Sequence, residues 1–119
     1  MAFPGELNIN YYKGDTYEFK IYPKKSADNT VFNMSGYSVK FSIATERGSS
    51  TIIEGYASIY SDNTYINCAI TPGNGALLTA GTQYVYDVEI KKASTPYTLV
   101  HTLLTGSITV TNQVTPAGA

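Results

Sequence analysis

Residues 81–91, GTQYVYDVEIK, alternate between aromatic or aliphatic side chains and polar ones. Because successive side chains of a β-strand point to opposite faces of the sheet, four of these residues would share one face: Tyr84, Tyr86, Val88 and Ile90. The other face would carry Val85, Asp87, Glu89 and Lys91. This spacing predicts a β-strand with one face buried in a core. Because a strand must pair with other strands, the chain is predicted to form a β-sheet.

The same alternation recurs along the chain and is interrupted by turn residues. We predict strands over Leu7–Tyr12, Thr16–Pro23, Tyr37–Ala44, Thr51–Tyr60, Thr64–Ile70, residues 81–91, Tyr97–Leu104 and Ser107–Thr111. Gly106, between the last two, indicates a bulge or a change of sheet. Ala76–Thr79 is predicted to form at most one helical turn. Seven or eight short strands at this spacing are typical of an all-β, immunoglobulin-like β-sandwich of antiparallel strands.

Length and composition agree with one domain of this class. The chain has 119 residues, of which only 14% are charged, against roughly 25% in typical globular domains. Thr, Ser, Asn and 11 tyrosines take the place of the missing charges, and aromatic and β-branched residues suit a pleated surface. We expect a single sandwich over residues 1–115, followed by a flexible tail, residues 116–119.

Charge and hydropathy exclude several classes of partner. The net charge is −1, so the chain lacks the basic footprint of a nucleic-acid-binding protein. The first ten residues, MAFPGELNIN, lack the basic and apolar regions of a signal peptide. No apolar run reaches the roughly 18 residues of a membrane span. We therefore expect a protein made in the cytoplasm, with neither a nucleic-acid nor a membrane partner.

The residues that could support catalysis are few. Asp87 and Glu89 would point to the same face of a strand, and paired carboxylates serve glycosidases. We interpret them instead as part of a solvated outer face, because Lys91 continues the row and the outside of a sandwich offers no cleft. His101 is the only histidine, and Cys68 alternates with two isoleucines as a buried thiol would. The sequence predicts no catalytic, cofactor-binding or metal-binding residue, and hence no enzyme.

A structural site is predicted at the start of the 81–91 strand. In immunoglobulin-like sandwiches, a tyrosine at this place hydrogen-bonds back to the backbone of the preceding corner. Gly81 followed by Tyr84 has this form. The chain has no tryptophan and only one cysteine, so it is not a domain of the antibody type.

Tyrosines on the predicted outer faces are candidates for an interface. Tyr56 and Tyr60 alternate with Ile53, Ala57 and Ile59, and should therefore point away from the core. Tyr22 has the same relation to Tyr17, Phe19 and Ile21, and is a weaker candidate. Tyrosine is enriched where proteins meet, because its ring buries a large area at little entropic cost.

Four ordered segments carry a resemblance to a known family. They are Lys13–Phe19 (KGDTYEF), Phe32–Phe41 (FNMSGYSVKF), Gln83–Ile90 (QYVYDVEI) and Leu103–Val110 (LLTGSITV). In this order the chain resembles small immunoglobulin-like sandwich modules of tailed-bacteriophage virions. It is similar to the N-terminal domain of baseplate upper proteins and to head and tail decoration domains.

The resemblance implies a non-enzymatic structural or accessory protein of the virion. Family members often continue into coiled coils or receptor-binding domains, and this sequence stops after the sandwich, so we expect a decoration or tail-associated subunit. Its partners would be other capsid, tail or baseplate proteins, with several copies or a homo-oligomer in the particle. The alternative is a carbohydrate-binding or host-surface adhesion module that recognises a glycan. An enzyme accessory domain or a hydrolase ranks last.

Overall fold

The structure, a computed structural model, describes residues 5–24, 32–49 and 52–112. The tail predicted at residues 116–119 lies outside them. The described residues form nine strands and one short helix. In chain order these are β1 (Gly5–Glu6), β2 (Ile9–Tyr12), β3 (Tyr17–Ile21), β4 (Ser38–Ala44), β5 (Ile53–Glu54), β6 (Tyr56–Ile59), β7 (Ile66–Ile70), α1 (Pro72–Gly75), β8 (Gln83–Lys92) and β9 (Leu99–Thr111).

The strands form two sheets packed face to face. The larger sheet has the order β1–β9–β8–β4–β5, with β2 also paired to β9, and the smaller has the order β3–β7–β6. The predicted all-β sandwich is confirmed. The order matches the immunoglobulin pattern, in which strands B, E and D form one sheet and C, F and G the other.

The first two strands depart from the predicted antiparallel arrangement. Both β1 and β2 run parallel to β9, with Gly5 opposite Leu104 and Ile9 opposite Ile108. The alternation of side chains is the same in parallel and antiparallel strands, so the pattern of the sequence carries no information on strand direction. The N-terminal strands thus lie along the last strand of the sandwich.

The core follows the predicted alternation. On β8, the inward residues Tyr84, Tyr86, Val88 and Ile90 are all buried. Phe41 lies at the centre, with its ring 5.5 Å from the rings of both Phe19 and Tyr86 in edge-to-face contact. Since Phe19 belongs to the smaller sheet and Tyr86 to the larger, these aromatic contacts join the two layers.

The region predicted as one strand from Thr51 to Tyr60 is divided. Within its described part, β5 pairs with β4 in the larger sheet, whereas β6 pairs with β7 in the smaller one. The chain changes sheet at Gly55, whose N–H donates to the carbonyl of Phe41 at 2.9 Å. A Cβ atom at Gly55 would collide with the ring of Phe41, so only glycine fits this crossing.

Near the C-terminal end the prediction is wrong in the opposite way. Two strands were predicted there, and the structure has the single strand β9. It continues through Gly106, and the bulge lies earlier: Val88 faces Leu104 and Glu89 faces Thr102, leaving Leu103 as the extra residue. Gly106 has a different role. A Cβ atom there would collide with the carbonyl oxygen of Leu7, where the N-terminal segment crosses β9.

The helical turn begins four residues before the predicted one. Thr71 caps it, with its Oγ1 accepting a hydrogen bond from the N–H of Asn74 at 3.1 Å. In return, the N–H of Thr71 donates to Oδ1 of Asn74 at 3.4 Å. Pro72 occupies the first turn, where its missing N–H costs nothing. This capping box at Thr71–Asn74 decides where the turn begins.

We predict that Gly106→Ala destabilises the fold by about 1–3 kcal/mol, because the added methyl group meets a backbone oxygen that cannot move alone. Gly73→Ala is the matched control. The nearest atom to a Cβ there, Oγ1 of Thr71, is 3.8 Å away, so no loss is expected. Urea unfolding of both variants measures the difference. Equal stabilities would contradict the close approach at Gly106.

Candidate functional site

The outer face of the smaller sheet carries the tyrosines predicted as an interface. Strand register sets its rows: Glu18 lies opposite Ala69, which lies opposite Tyr56. The next outward row is Lys20, Asn67 and Ser58. Tyr56 and Tyr60 are 53% and 44% exposed, and Tyr22 is 56% exposed. All three side chains are thus directed away from the core.

A fourth tyrosine, which was not predicted from the sequence, contacts two of these three. Tyr65 lies between Tyr22 and Tyr60, just beyond the strand ends. Its ring centroid is 4.6 Å from that of Tyr60, with the planes 16° apart, and 5.2 Å from that of Tyr22, with the planes 31° apart. The Lys20 Nζ atom lies 5.2 Å from the same centroid. We call Tyr22, Tyr65 and Tyr60 the tyrosine row.

The turn between β6 and β7 fixes the row. The N–H of Tyr60 donates to the carbonyl of Tyr65 at 2.8 Å, which places the two rings on neighbouring strands. Asn63 adopts φ 63°, a conformation that asparagine tolerates, and donates its N–H to the carbonyl of Tyr60 at 2.8 Å. The Oδ1 atom of Asp62 accepts the N–H of Thr64 at 3.1 Å. The sequence contains a signal for the contact between Tyr60 and Tyr65, since these two tyrosines flank a four-residue turn.

Tyr56 lies apart from the tyrosine row. It is four residues before Tyr60 on the same face, about 13 Å along the strand at 3.3 Å per residue. There it borders a shallow depression of about 360 Å³, whose lining includes Glu18, Lys20 and Asn67. The candidate surface therefore has two aromatic ends with a small polar area between them.

The predicted corner is present at the start of β8. Tyr84 is 4% exposed, and its hydroxyl oxygen accepts a hydrogen bond from the N–H of Thr79 at 2.8 Å. Gly81 takes φ 83°, and its N–H donates to the carbonyl of Val110 at 2.8 Å. The structure thus places both residues in the corner geometry and ties the corner to β9.

The carboxylates of β8 lie on the outer face of the larger sheet, as predicted, but the expectation that this face has no cleft is wrong. Asp87 and Glu89 line a cleft of about 450 Å³ under the loop that follows β4. Arg47, from that loop, crosses the cleft and donates to Oγ1 of Thr105 at 2.6 Å. On the cleft's border, Lys40 pairs with Glu54 at 3.7 Å. The pattern of the sequence could not show this overhang, because it comes from a loop.

Cys68 and His101, which were considered as possible reactive groups, pack against other side chains. Cys68 is 2% exposed, and burial raises the pKa of its thiol to about 12. His101 packs against the rings of Phe32 and Tyr37, with centroids 5.8 and 6.2 Å away. Within residues 5–24, 32–49 and 52–112, no three His, Cys, Asp or Glu side chains are grouped as a metal site requires. None of the described helices has the length and apolar character of a membrane span.

Comparison with known proteins does not extend this picture. No protein-family model matches the chain, and no curated protein matches it.

We predict that Tyr84→Phe lowers the free energy of unfolding by about 1–3 kcal/mol, because the N–H of Thr79 loses its partner. Tyr12→Phe, at a side chain that is 57% exposed, should change it by less than about 0.5 kcal/mol. Urea melts of the two variants provide the comparison. Similar losses in both would contradict the corner assignment.

Stability is predicted to fall in alkali. Burial raises the pKa of Cys68, and it also raises the pKa of the Tyr86 and Tyr11 phenols. The unfolded chain therefore loses these protons at lower pH than the folded chain, so it binds fewer protons and the free energy of unfolding decreases as pH rises. The decrease should begin near pH 9, the ordinary pKa of the thiol.

Cys68→Ala should remove the first part of this decrease, up to about 1.4 kcal/mol per pH unit. Urea midpoints of the parent and the variant, measured at a series of alkaline pH values, test this. The same slope in both proteins just above pH 9 would contradict a buried, protonated thiol.

Proposed function

We propose that this chain is a non-enzymatic structural or accessory subunit of a tailed-bacteriophage virion, and that it docks onto another virion protein through the outer face of its smaller sheet. The observation that carries the proposal is the exposed aromatic surface there, formed by the tyrosine row and Tyr56. The ordered resemblance of four segments to phage sandwich modules supports the assignment to a virion.

The physical state of these tyrosines favours a docking surface. The rings of the tyrosine row already hold one another in place by stacking, so a partner would restrict little additional rotamer freedom. Each ring also offers a hydroxyl group beside an apolar edge, which is the combination found at protein interfaces. Across β3, β6 and β7 the only charged residues are Glu18 and Lys20, so covering the face removes few charges from water.

The stacking geometry weighs against the alternative of a glycan platform. A sugar packs its C–H groups on a free aromatic face, but the faces of Tyr65 are turned toward Tyr22 and Tyr60. The middle ring of the row therefore offers little free face to a sugar. This arrangement suits the irregular polar and apolar surface of a protein better than it suits the flat face of a pyranose ring.

The test is the double variant Tyr56→Ser/Tyr60→Ser, which should reduce incorporation into the particle. Its melting temperature should fall only slightly, because both side chains are exposed and the variant loses only the stacking between Tyr60 and Tyr65. Tyr97→Ser is the matched control: this ring is 67% exposed but lies between β8 and β9, away from the face. Purified particles assembled with each variant are compared by quantitative mass spectrometry.

Parent-level incorporation of the double variant would contradict docking through this face. A loss of incorporation that Tyr97→Ser reproduces would contradict it as well, since exposed tyrosines in general would then be responsible. A glycan array probed with the parent and the double variant tests the alternative, which predicts binding that the double variant loses.

A further inference from the structure

Strand β3 is one of the two edge strands of the smaller sheet. Among the described residues, β3 pairs with β7 on one side and is the terminal strand on the other. In an antiparallel strand the N–H and C=O groups of alternate residues point to opposite neighbours, so about half of those in β3 point outward. Such an edge is a template for another strand. We call it the β3 edge.

The side chains beside this edge are incompletely covered. Tyr17, Phe19 and Ile21 point toward the core, yet all three are only partly buried. Their partners on β7 are fully enclosed, with Ile66, Cys68 and Ile70 exposed by 2% or less. The difference lies in position, because β7 has a strand on each side and β3 has one. An apolar strip therefore remains accessible along the side of the sandwich.

The two outward residues of β3, Glu18 and Lys20, carry opposite charges that can pair with those of a second copy of the strand. Glu18 and Lys20 lie on either side of Phe19. If two copies of β3 pair antiparallel about Phe19, Glu18 of each copy faces Lys20 of the other. The neighbouring registers, centred on Glu18 or on Lys20, would place like charges opposite each other. The register about Phe19 also pairs all five residues of the strand, with Tyr17 opposite Ile21.

We propose that the β3 edge is a homodimer interface, in which two chains pair through β3 about a two-fold axis at Phe19. The pairing satisfies the outward backbone groups, covers the strip formed by Tyr17, Phe19 and Ile21, and joins two three-stranded sheets into one. This goes beyond the docking role proposed above and does not depend on it. Each copy keeps its tyrosine row and Tyr56 on the outer face of the joined sheet.

Sedimentation analysis over a wide concentration range tests the proposal. The parent chain should form dimers with a dissociation constant typical of a small, transient interface. Glu18→Lys and Lys20→Glu each replace two facing opposite pairs with two like pairs. Each should weaken dimerisation by about tenfold or more. Melting temperatures show that the variants remain folded.

Two combinations distinguish the proposed pairing from a general effect of charge. The double variant Glu18→Lys/Lys20→Glu restores opposite charges across the axis, so its dimer should regain most of the affinity of the parent. An equimolar mixture of the two single variants should form a heterodimer, since their charges are complementary. Lys20→Glu also removes the cation beside Tyr65, and recovery in the double variant shows that this loss is not the cause.

A parent chain that stays monomeric at every concentration would overturn the proposal and would make Glu18 and Lys20 residues that protect the edge from pairing. Dimers that neither single reversal weakens would also overturn it, by placing the contact elsewhere. Either result leaves docking through Tyr56 and Tyr60 open, because the particle-incorporation experiment changes no residue of the β3 edge.

Discussion

The hydrogen bond from the Tyr86 hydroxyl to the carbonyl of Leu7, at 2.6 Å, holds the N-terminal segment onto the rest of the sandwich. Leu7 and Asn8 lie between β1 and β2, where regular pairing with β9 is interrupted. Side chains replace the missing backbone partners: Tyr86 donates to Leu7, and Oδ1 of Asn8 accepts the N–H of Ser107 at 3.2 Å. Gly106 leaves room for the crossing. These bonds pair backbone groups where the ladder is interrupted, and together with the ladders on either side they hold β1 and β2 along β9.

The position of a tyrosine along its strand, odd or even, decides whether its ring points into the core or out to solvent. Tyr11, Tyr84 and Tyr86 point inward, and each hydroxyl bonds to backbone: Tyr11 to the carbonyl of Asp15 at 2.7 Å, Tyr84 to Thr79 and Tyr86 to Leu7. These bonds offset the cost of burying a phenol, and they tie loops to the core. Outward-pointing tyrosines have no such partner requirement, and three of them, Tyr22, Tyr56 and Tyr60, lie on the smaller sheet. A chain with few charges thus uses one residue type both inside and outside.

Side-chain alternation was sufficient to predict the sandwich, the buried face of β8 and the outward direction of Tyr56, Tyr60 and Tyr22. It was insufficient wherever the outcome depended on contacts between distant residues. Gly55 and Gly106 look alike in sequence, yet one marks a change of sheet and the other a close crossing within a continuous strand. The parallel pairing of β2, the position of Tyr65 beside Tyr22 and the cleft beneath Arg47 are equally nonlocal. Local patterns determine which face a residue occupies, whereas register and loop placement determine its neighbours.

The two outer faces of the sandwich differ in a way that bears on assembly. On the larger sheet, Lys40 pairs with Glu54, and Arg47 spans a cleft that contains Asp87 and Glu89. Such a face is well solvated, and covering it would require removing several charges from water. The smaller sheet has only Glu18 and Lys20 among ordered aromatic rings, and both of these charges lie beside an open strand edge. If chains pair through that edge, the two charges neutralise each other across the axis, and the face left for a further partner is almost uncharged. Self-association would then prepare the tyrosine surface for docking rather than compete with it.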